Sequence, residues 1–269
     1  MKLNIRNTDI SINEQDIQKE KERSAAGVIT ADDMPEPSEI DGELLDEMTR
    51  KLAQEEGFEN AELMTTKELF TAVFKKYVKR EGADRLLDYV TNETDFFTAP
   101  ASTRFHGSVP YGLVAHSLHV YFLYRKYIKE HALAAFGLDM SDDAIALCSL
   151  LHDVCKANFY AIEMRNKKID GVWQQVPSYT IDDQMPLGHG EKSAFIIMQY
   201  CHLNEREFAA IRYHMGFSIE EDVRAVGNAF AMYPEAFALS TADMEATYFL
   251  ENEKWDKRKQ KAAEALAQK

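Results

Sequence analysis

Histidine and aspartate side chains interrupt three of the most apolar segments of the chain. They are His116 in LVAHSLHV, His152 and Asp153 in LLHDVCK, and Asp243 in ALSTADMEAT. A carboxylate in apolar surroundings is costly unless a cation compensates its charge. Imidazole nitrogen and carboxylate oxygen suit Mn, Fe, Zn, Co or Ni better than Ca, which prefers an all-oxygen shell. A single such histidine is more often a hydrogen-bonded core residue, but the four together indicate a buried divalent cation.

The segments that must position these residues are predicted to be helices. Helical patterns cover residues 113–136, 143–159 and 238–255, so the His152-Asp153 pair falls in the middle of the second segment. Other helices are expected over 42–57, 66–82, 83–93, 191–203, 204–216 and 225–237. Residues 159–183 contain two β-biased runs around Lys-Ile-Asp-Gly, which is a hairpin signal. The sequence therefore predicts an all-α helical bundle with one inserted β-hairpin.

The composition of the chain argues against several classes of protein. The 269 residues are 45% hydrophobic and carry a formal net charge of −14, which is enough apolar material for one real core. No apolar stretch is long enough to span a membrane, and the first residues lack the apolar region of a secretory signal, so we expect a cytoplasmic protein. Three cysteines are expected to be reduced and buried. The acidic balance argues against a surface that coats DNA or RNA.

The four candidate ligands are similar to those of the HD-domain superfamily of metal-dependent phosphohydrolases, named for its His-Asp doublet. The resemblance covers roughly residues 97–250. It implies that His116, His152, Asp153 and Asp243 ligate a first metal ion. In dinuclear branches of this superfamily, further histidines bind a second ion and the doublet Asp bridges the two. His189 in PLGHGEK and His214 in AIRYHMG match those positions in order and context.

Lys156 lies four residues after His152 and three after Asp153, so on a helix it would share their face. The resemblance to the HD-x-x-K form of the superfamily implies that Lys156 binds phosphate, and it makes Asp153 and Lys156 the catalytic residues. An ammonium group there would stabilise charge on phosphoryl oxygens. A solvated surface lysine without a role is the alternative.

Two further segments, APASTRFHGSVPYGLVAH and YTIDDQMPLGHG, are similar to parts of bacterial HD-domain 3′→5′ exoribonucleases. This resemblance implies that Arg104 and His106 bind substrate phosphate and that the hairpin region 157–188 forms a wall of the cleft. Arg212 is a further candidate for phosphate binding, with a surface ion pair as its alternative. The resemblance stops upstream, because residues 1–95 do not resemble the strand-binding OB-fold of those enzymes.

Four regions are predicted. Residues 1–40 form an acidic, mobile arm and residues 41–95 form N-terminal helices packed on the core. Residues 96–252 form the HD domain, and residues 253–269 form a charged helix or tail.

The predicted activity is hydrolysis of a phosphoester bond in a nucleotide or nucleotide-like substrate, by water activated by one or two divalent ions (Mn, Fe, Mg, Zn, Co or Ni). The expected partner is thus a small phosphorylated molecule and not a membrane. One alternative is a 3′→5′ exonuclease acting on single-stranded RNA or DNA, although a net charge of −14 disfavours a long polyanion. A second alternative is a non-catalytic HD module that binds a protein partner.

Overall fold

The computed structural model describes residues 47–104, 107–169, 171–219 and 221–252. The predictions for the arm at 1–40, the tail at 253–269 and His106 lie outside these described residues. Two compact units are present in the described chain: residues 162–178 of the hairpin, and a helical body that comprises the described residues of 47–161 and 179–252.

The helical body contains short and medium-length helices joined by turns and longer loops. In chain order they are α1 (Glu47–Glu55), α2 (Thr66–Tyr77), α3 (Ala83–Asn92), α4 (Gly112–Lys126), α5 (Leu133–Phe136), α6 (Asp142–Leu151), α7 (His189–Met198), α8 (Glu205–Arg212), α9 (Val223–Met232) and α10 (Pro234–Glu245). Single turns of 3₁₀-helix cover Ala61–Leu63 and Val154–Lys156, and π-helical turns cover Tyr127–Ala132 and Ala246–Leu250. The expected all-α bundle is confirmed.

The core is centred on α4 and α6, which pack against each other. Every residue of α6 from Ala144 to Leu151 is buried, and α4 is buried on most of its circumference. Helix α2 packs on both of them, α10 packs on α4 and α8, and α7 packs on α8. Helices that are apolar all round belong in the centre of a bundle, so the sequence of α4 and α6 dictates their position.

Helix α2 is shorter than the periodicity predicts. It begins with a capping box between Thr65 and Glu68, and it ends at Tyr77 instead of continuing to Gly82. Gly82 has a φ of +85° and precedes α3, and a Cβ there would lie 1.9 Å from the Tyr200 carbonyl oxygen. The backbone N–H of Lys79 donates to Asp143 Oδ2 at 2.6 Å. A tertiary contact therefore replaces the helical hydrogen bonds that the local pattern favours.

The helix that carries the His-Asp doublet also ends early. The prediction of one helix over 143–159 is wrong, because α6 ends at Leu151 and Asp153 has φ −108° and ψ 17° before the 3₁₀ turn. The Cys155 N–H donates to Ser193 Oγ at 3.2 Å, and the Lys156 N–H donates to the Asp153 carbonyl at 2.9 Å. These bonds hold the doublet in a turn and not in a helix.

The inserted hairpin is present as predicted. Strands β1 (Tyr160–Ile169) and β2 (Val172–Ile181) form a two-stranded sheet. Gly171 has a φ of +84°, which is typical of a tight hairpin turn. The expected role of the hairpin as a cleft wall stays a prediction.

Among the described residues, none of the helices combines the length and the hydropathy that crossing a membrane requires.

Candidate metal centre

Six side chains from five segments of the chain converge inside the helical body. His116 is in the middle of α4, and His152 and Asp153 are in the turn after α6. His189 opens α7, His214 follows α8, and Asp243 lies near the end of α10. The rings of four of them form a continuous chain, with centroids 4.9–5.4 Å apart. The structure thus brings together all six residues that the resemblance singled out as ligands. Their role as metal ligands stays a prediction.

Backbone carbonyls set the tautomers of two of these histidines. The Nδ1 atom of His152 lies 2.7 Å from the Ser149 carbonyl, and the Nδ1 atom of His214 lies 2.7 Å from the Ile211 carbonyl. A carbonyl oxygen can only accept, so each Nδ1 must carry the proton. In the neutral ring, Nε2 then offers a lone pair to the interior of the cluster. This is the outer-shell arrangement that orients histidine ligands of metals.

One group of donor atoms lies between α4, α6 and α10. His116 Nε2 is 3.2 Å from Asp243 Oδ1 and 3.3 Å from His152 Nε2. Asp153 Oδ2 is 3.5 Å from His152 Nε2 and 3.8 Å from His116 Nε2. Ligands bound to one tetrahedral ion at about 2.0–2.2 Å lie about 3.3–3.6 Å apart. The spacing of this group is therefore close to that of a divalent cation site.

A second group faces the other oxygen of the same aspartate. Asp153 Oδ1 is 2.6 Å from His189 Nε2 and 3.3 Å from His214 Nε2. His214 Nε2 is buried and has no hydrogen-bond partner among the described residues. Because buried polar atoms normally have a partner, the unpartnered lone pair of this nitrogen indicates a position where a cation can bind. With one oxygen toward each group, Asp153 occupies the position that a bridging carboxylate requires.

Burial and neighbouring charges shift the pKa values of the side chains in the cluster. Burial lowers the pKa of His152 to about 4, which favours the neutral ring. Burial also opposes charge on His116, but the Glu251 and Asp243 carboxylates outweigh it and raise its pKa to about 10. Against the opposing effect of burial, the hydrogen bond and charge of His116 lower the pKa of Asp243 to about 2. Positive charge beside Asp243 thus keeps its carboxylate ionised, and a divalent cation would also supply such charge.

Lys156 belongs to this cluster although it follows a turn. Its Nζ lies 2.6 Å from Asp153 Oδ2, and its side chain is 13% exposed. Burial disfavours its charge, but the neighbouring Asp153 carboxylate outweighs this and raises the pKa of Lys156, so it is an ammonium group. His189 and Asp243 are 21% and 15% exposed. These three partly exposed side chains mark the side from which solvent reaches the cluster.

Of the other three residues that were predicted to bind substrate, the structure describes Arg104 and Arg212. Arg104 is exposed in the loop before α4, and His106 is outside the described residues. Arg212 pairs with Glu191 and donates from Nη1 to Glu221 Oε1 at 2.7 Å. The ion pair that was the alternative interpretation of Arg212 is thus present. Binding of substrate phosphate by Arg212 stays a prediction.

Two side chains at the cluster were missed by the sequence reasoning. Glu251, which follows the last π-helical turn, contacts His116 Nδ1 at 3.0 Å and His119 Nδ1 at 2.7 Å. His119 therefore faces Glu251 and belongs to none of the possible metal groups among the described residues. Cys155, which was expected only to be reduced and buried, lies 3.4 Å from His189 Nδ1. No periodicity or spacing pointed to either contact.

Glu251 orients His116, so we expect Glu251→Ala to lower metal affinity. Its carboxylate accepts from His116 Nδ1–H and directs Nε2 into the cluster, as carboxylates behind metal-binding histidines do. The expected loss is about 10–100-fold in the dissociation constant, measured by competition with a metal-binding dye. Glu251→Gln retains one acceptor oxygen and is expected to recover part of that loss. Glu245→Ala, at the end of α10, is the control, and an equal loss there would contradict the assignment.

The donor set fits a metal ion. It combines imidazole nitrogens whose lone pairs are directed inward, an orphaned buried nitrogen and the carboxylate oxygens of Asp153 and Asp243 beside them. Nitrogen and oxygen donors of this kind suit Mn, Fe, Zn, Co or Ni. The six residues would hold one or two such ions. An adjacent ammonium group makes the same surface attractive to a phosphate.

Comparisons with known proteins agree with this chemistry. No curated protein and no solved structure matches the chain significantly. A family model described as the HD domain matches residues 113–260, which is more than half of the chain and includes all six candidate ligands and Lys156. The chain therefore belongs to the HD-domain family.

Proposed function

We propose that the protein is a metal-dependent phosphohydrolase that cleaves a phosphoester bond of a nucleotide or nucleotide-like substrate. HD domains are generally metal-dependent hydrolases, and this chain has the complete set of candidate ligands. The observation that carries the proposal is the position of Asp153. Its two oxygens face two groups of metal donors, and one of them also contacts the Lys156 ammonium group.

The donor groups would divide between two cation positions. His116, His152 and Asp243 would hold the first ion, His189 and His214 the second, and Asp153 both. When bound, divalent ions supply a Lewis acid that polarises the phosphoryl group and lowers the pKa of water. The chain contributes the preorganised geometry, since the Ser149 and Ile211 carbonyls fix two of the rings before any ligand arrives.

Lys156 would bind the phosphate of the substrate. Its ammonium group lies at the partly exposed side of the cluster, 2.6 Å from the bridging carboxylate. From there it can donate to a phosphoryl oxygen and stabilise the negative charge that develops during hydrolysis. Burial of most of its stem restricts the side chain, so little entropy is lost when it binds phosphate.

The charge of the chain favours a small substrate. With 45 acidic and 31 basic side chains, the protein has a net charge of −14 and would repel a long polyanion before it reached the site. A mononucleotide needs only the local positive charge of the metal centre and Lys156. We therefore favour a nucleotide over single-stranded RNA or DNA.

A substrate screen combined with metal analysis tests this proposal. The full-length protein is loaded with Mn²⁺, Mg²⁺, Co²⁺ or Zn²⁺ and given a panel of mononucleotides and labelled oligonucleotides. We expect release of phosphate or pyrophosphate from at least one nucleotide, abolished by EDTA and by Lys156→Met. Shortening of oligonucleotides alone, with a rate that falls as salt rises, would support the exonuclease alternative instead. Bound metal without turnover of any phosphoester would contradict the proposal and support a non-catalytic module.

A further inference from the structure

Two tyrosines at the base of the hairpin share one face of the sheet. Tyr160 opens β1 and Tyr179 lies near the end of β2, and both belong to the helical body. The Asp182 N–H donates to the Phe159 carbonyl at 2.9 Å. This register sets Tyr160 opposite Ile181, and side chains two positions apart on a strand share a face. Tyr179 is therefore on the face of Tyr160, and their ring centroids are 6.2 Å apart.

This aromatic face begins beside the proposed phosphate site. Lys156 precedes Tyr160 by four residues, and the two side chains interact electrostatically. Burial raises the pKa of Tyr160 to about 12, and the Lys156 ammonium group opposes that rise. The Asp153 carboxylate, 2.6 Å from Lys156 Nζ, acts on the same hydroxyl. The tyrosine pair is thus next to the partly exposed side of the metal centre.

Hydrogen bonds fix the start of β1 and the first of the two rings. Asn158 has a φ of +53°, which is uncommon for a residue with a Cβ. Its backbone N–H donates to Asp95 Oδ1 at 2.5 Å, and its side-chain amide donates to the Glu93 carbonyl at 3.2 Å. The Tyr160 hydroxyl donates to the Ala101 carbonyl at 3.1 Å. The Tyr160 ring is therefore held in place before any ligand binds.

The second ring is supported by the first and is partly exposed. The two rings meet at an interplanar angle of 60°, so Tyr160 does not lie flat on Tyr179 and leaves its π face accessible. Aromatic side chains of this kind stack on nucleic acid bases, and the stacking is tolerant of sequence because every base has a π face. A nucleotide carries its base one sugar ring away from its phosphate. With the phosphate at Lys156, the base would reach the face that begins at Tyr160.

We propose that Tyr179 stacks on the base of the nucleotide substrate, supported by Tyr160 as a positioning residue, while Lys156 and the metal centre hold the phosphate. This inference rests on the proposed function and names the residues that bind the base. Such a surface accepts purines and pyrimidines alike. It selects nucleotides over phosphorylated molecules that lack a base.

The fluorescence of 2-aminopurine falls when this base stacks on an aromatic ring, which provides a direct test. Full-length protein loaded with Zn²⁺ is mixed in a stopped-flow instrument with 2-aminopurine riboside 5′-monophosphate, so that binding is recorded before hydrolysis. Anisotropy reports binding and intensity reports stacking. We expect quenching in the wild-type protein, in Tyr179→Phe and in Thr180→Ala, which alters the other face of β2. In Tyr179→Ala we expect the quenching to be lost and the affinity to fall by about 5- to 150-fold.

Ribose 5-phosphate is the matched ligand, because it has the sugar and the phosphate without a base. In the wild-type protein we expect it to displace the probe only at concentrations about 5- to 150-fold higher than adenosine 5′-monophosphate does. In Tyr179→Ala the two competitors should become similar, whereas Lys156→Met should weaken both to the same extent. If Tyr179→Ala does not fold, the two competitors on the wild-type protein still decide the question.

The outcomes separate this inference from the proposed function. Equal displacement by the two competitors in the wild-type protein, or unchanged probe binding in Tyr179→Ala, would overturn the role of Tyr179 and leave the phosphate site intact. Failure of the wild-type protein to bind the probe would also overturn it, while hydrolysis of a nucleotide in the substrate screen would still support the proposed function. Binding that depends on Tyr179, without turnover of any phosphoester, would support the inference and contradict the hydrolase.

Discussion

Asp153→Ala is expected to remove metal binding and hydrolysis together. Asp153 contributes one oxygen to each group of donors, so its loss affects both cation positions at once. It also removes the partner that holds Lys156 at the site. We expect metal content to fall to background and kcat/KM to fall by at least about 10³-fold. Elemental analysis of the purified variant and the nucleotide assay measure the two effects.

Two variants separate charge from structure in this experiment. Asp153→Asn keeps the size of the side chain but not its charge, and it is expected to lose metal as Asp153→Ala does. His214→Ala removes a donor from the second group only, so about one equivalent of metal is expected to remain. Full metal retention in Asp153→Ala, with activity lost, would rule out the bridging position. An unchanged metal content in His214→Ala would indicate a mononuclear site.

Arg80→Ala is expected to cause the largest loss of stability. The Arg80 guanidinium donates to Glu207 Oε1 at 2.7 Å, to Asp143 Oδ1 at 2.7 Å and to the His202 carbonyl at 2.8 Å. The Glu207 side chain is 5% exposed, so removing Arg80 leaves a buried carboxylate without its cation. Breaking a buried pair in this way costs about 3–5 kcal/mol of the free energy of unfolding. Urea unfolding monitored by circular dichroism measures this loss.

The double variant Arg80→Met/Glu207→Gln distinguishes an unpaired charge from lost packing. Glutamine can still accept the Asn204 N–H of the capping box at the start of α8, so the helix start is kept. We expect the double variant to be more stable than Arg80→Ala. Arg85→Ala, an exposed arginine nearby, is the control and should change stability by less than about 0.5 kcal/mol. A loss below about 1 kcal/mol in Arg80→Ala would argue against the network.

Helices and the hairpin were largely predictable because their signals are local. Apolar periodicity predicted α4, and the Lys-Ile-Asp-Gly turn predicted the hairpin. The boundary expected between residues 237 and 238, however, falls inside α10, which runs from Pro234 to Glu245. The ends of α2 and α6 were not predictable from periodicity. Both helices stop where a distant side chain takes a backbone N–H, Asp143 at Lys79 and Ser193 at Cys155. Contacts between residues this far apart in the chain leave no trace in a local pattern.

The sequence by itself determined which residue types could carry the chemistry. Polar residues in otherwise apolar helices, such as His116 and Asp243, are costly unless they share a buried partner, and this reasoning needs no coordinates. Only the tertiary structure decided how the donors are grouped. It turned one Asp153 oxygen toward each group and placed Glu251 behind a histidine 135 positions earlier in the chain. It also brought the Cys155 thiol to His189. Which atoms meet depends on how whole helices pack, and packing is a property of the assembled bundle.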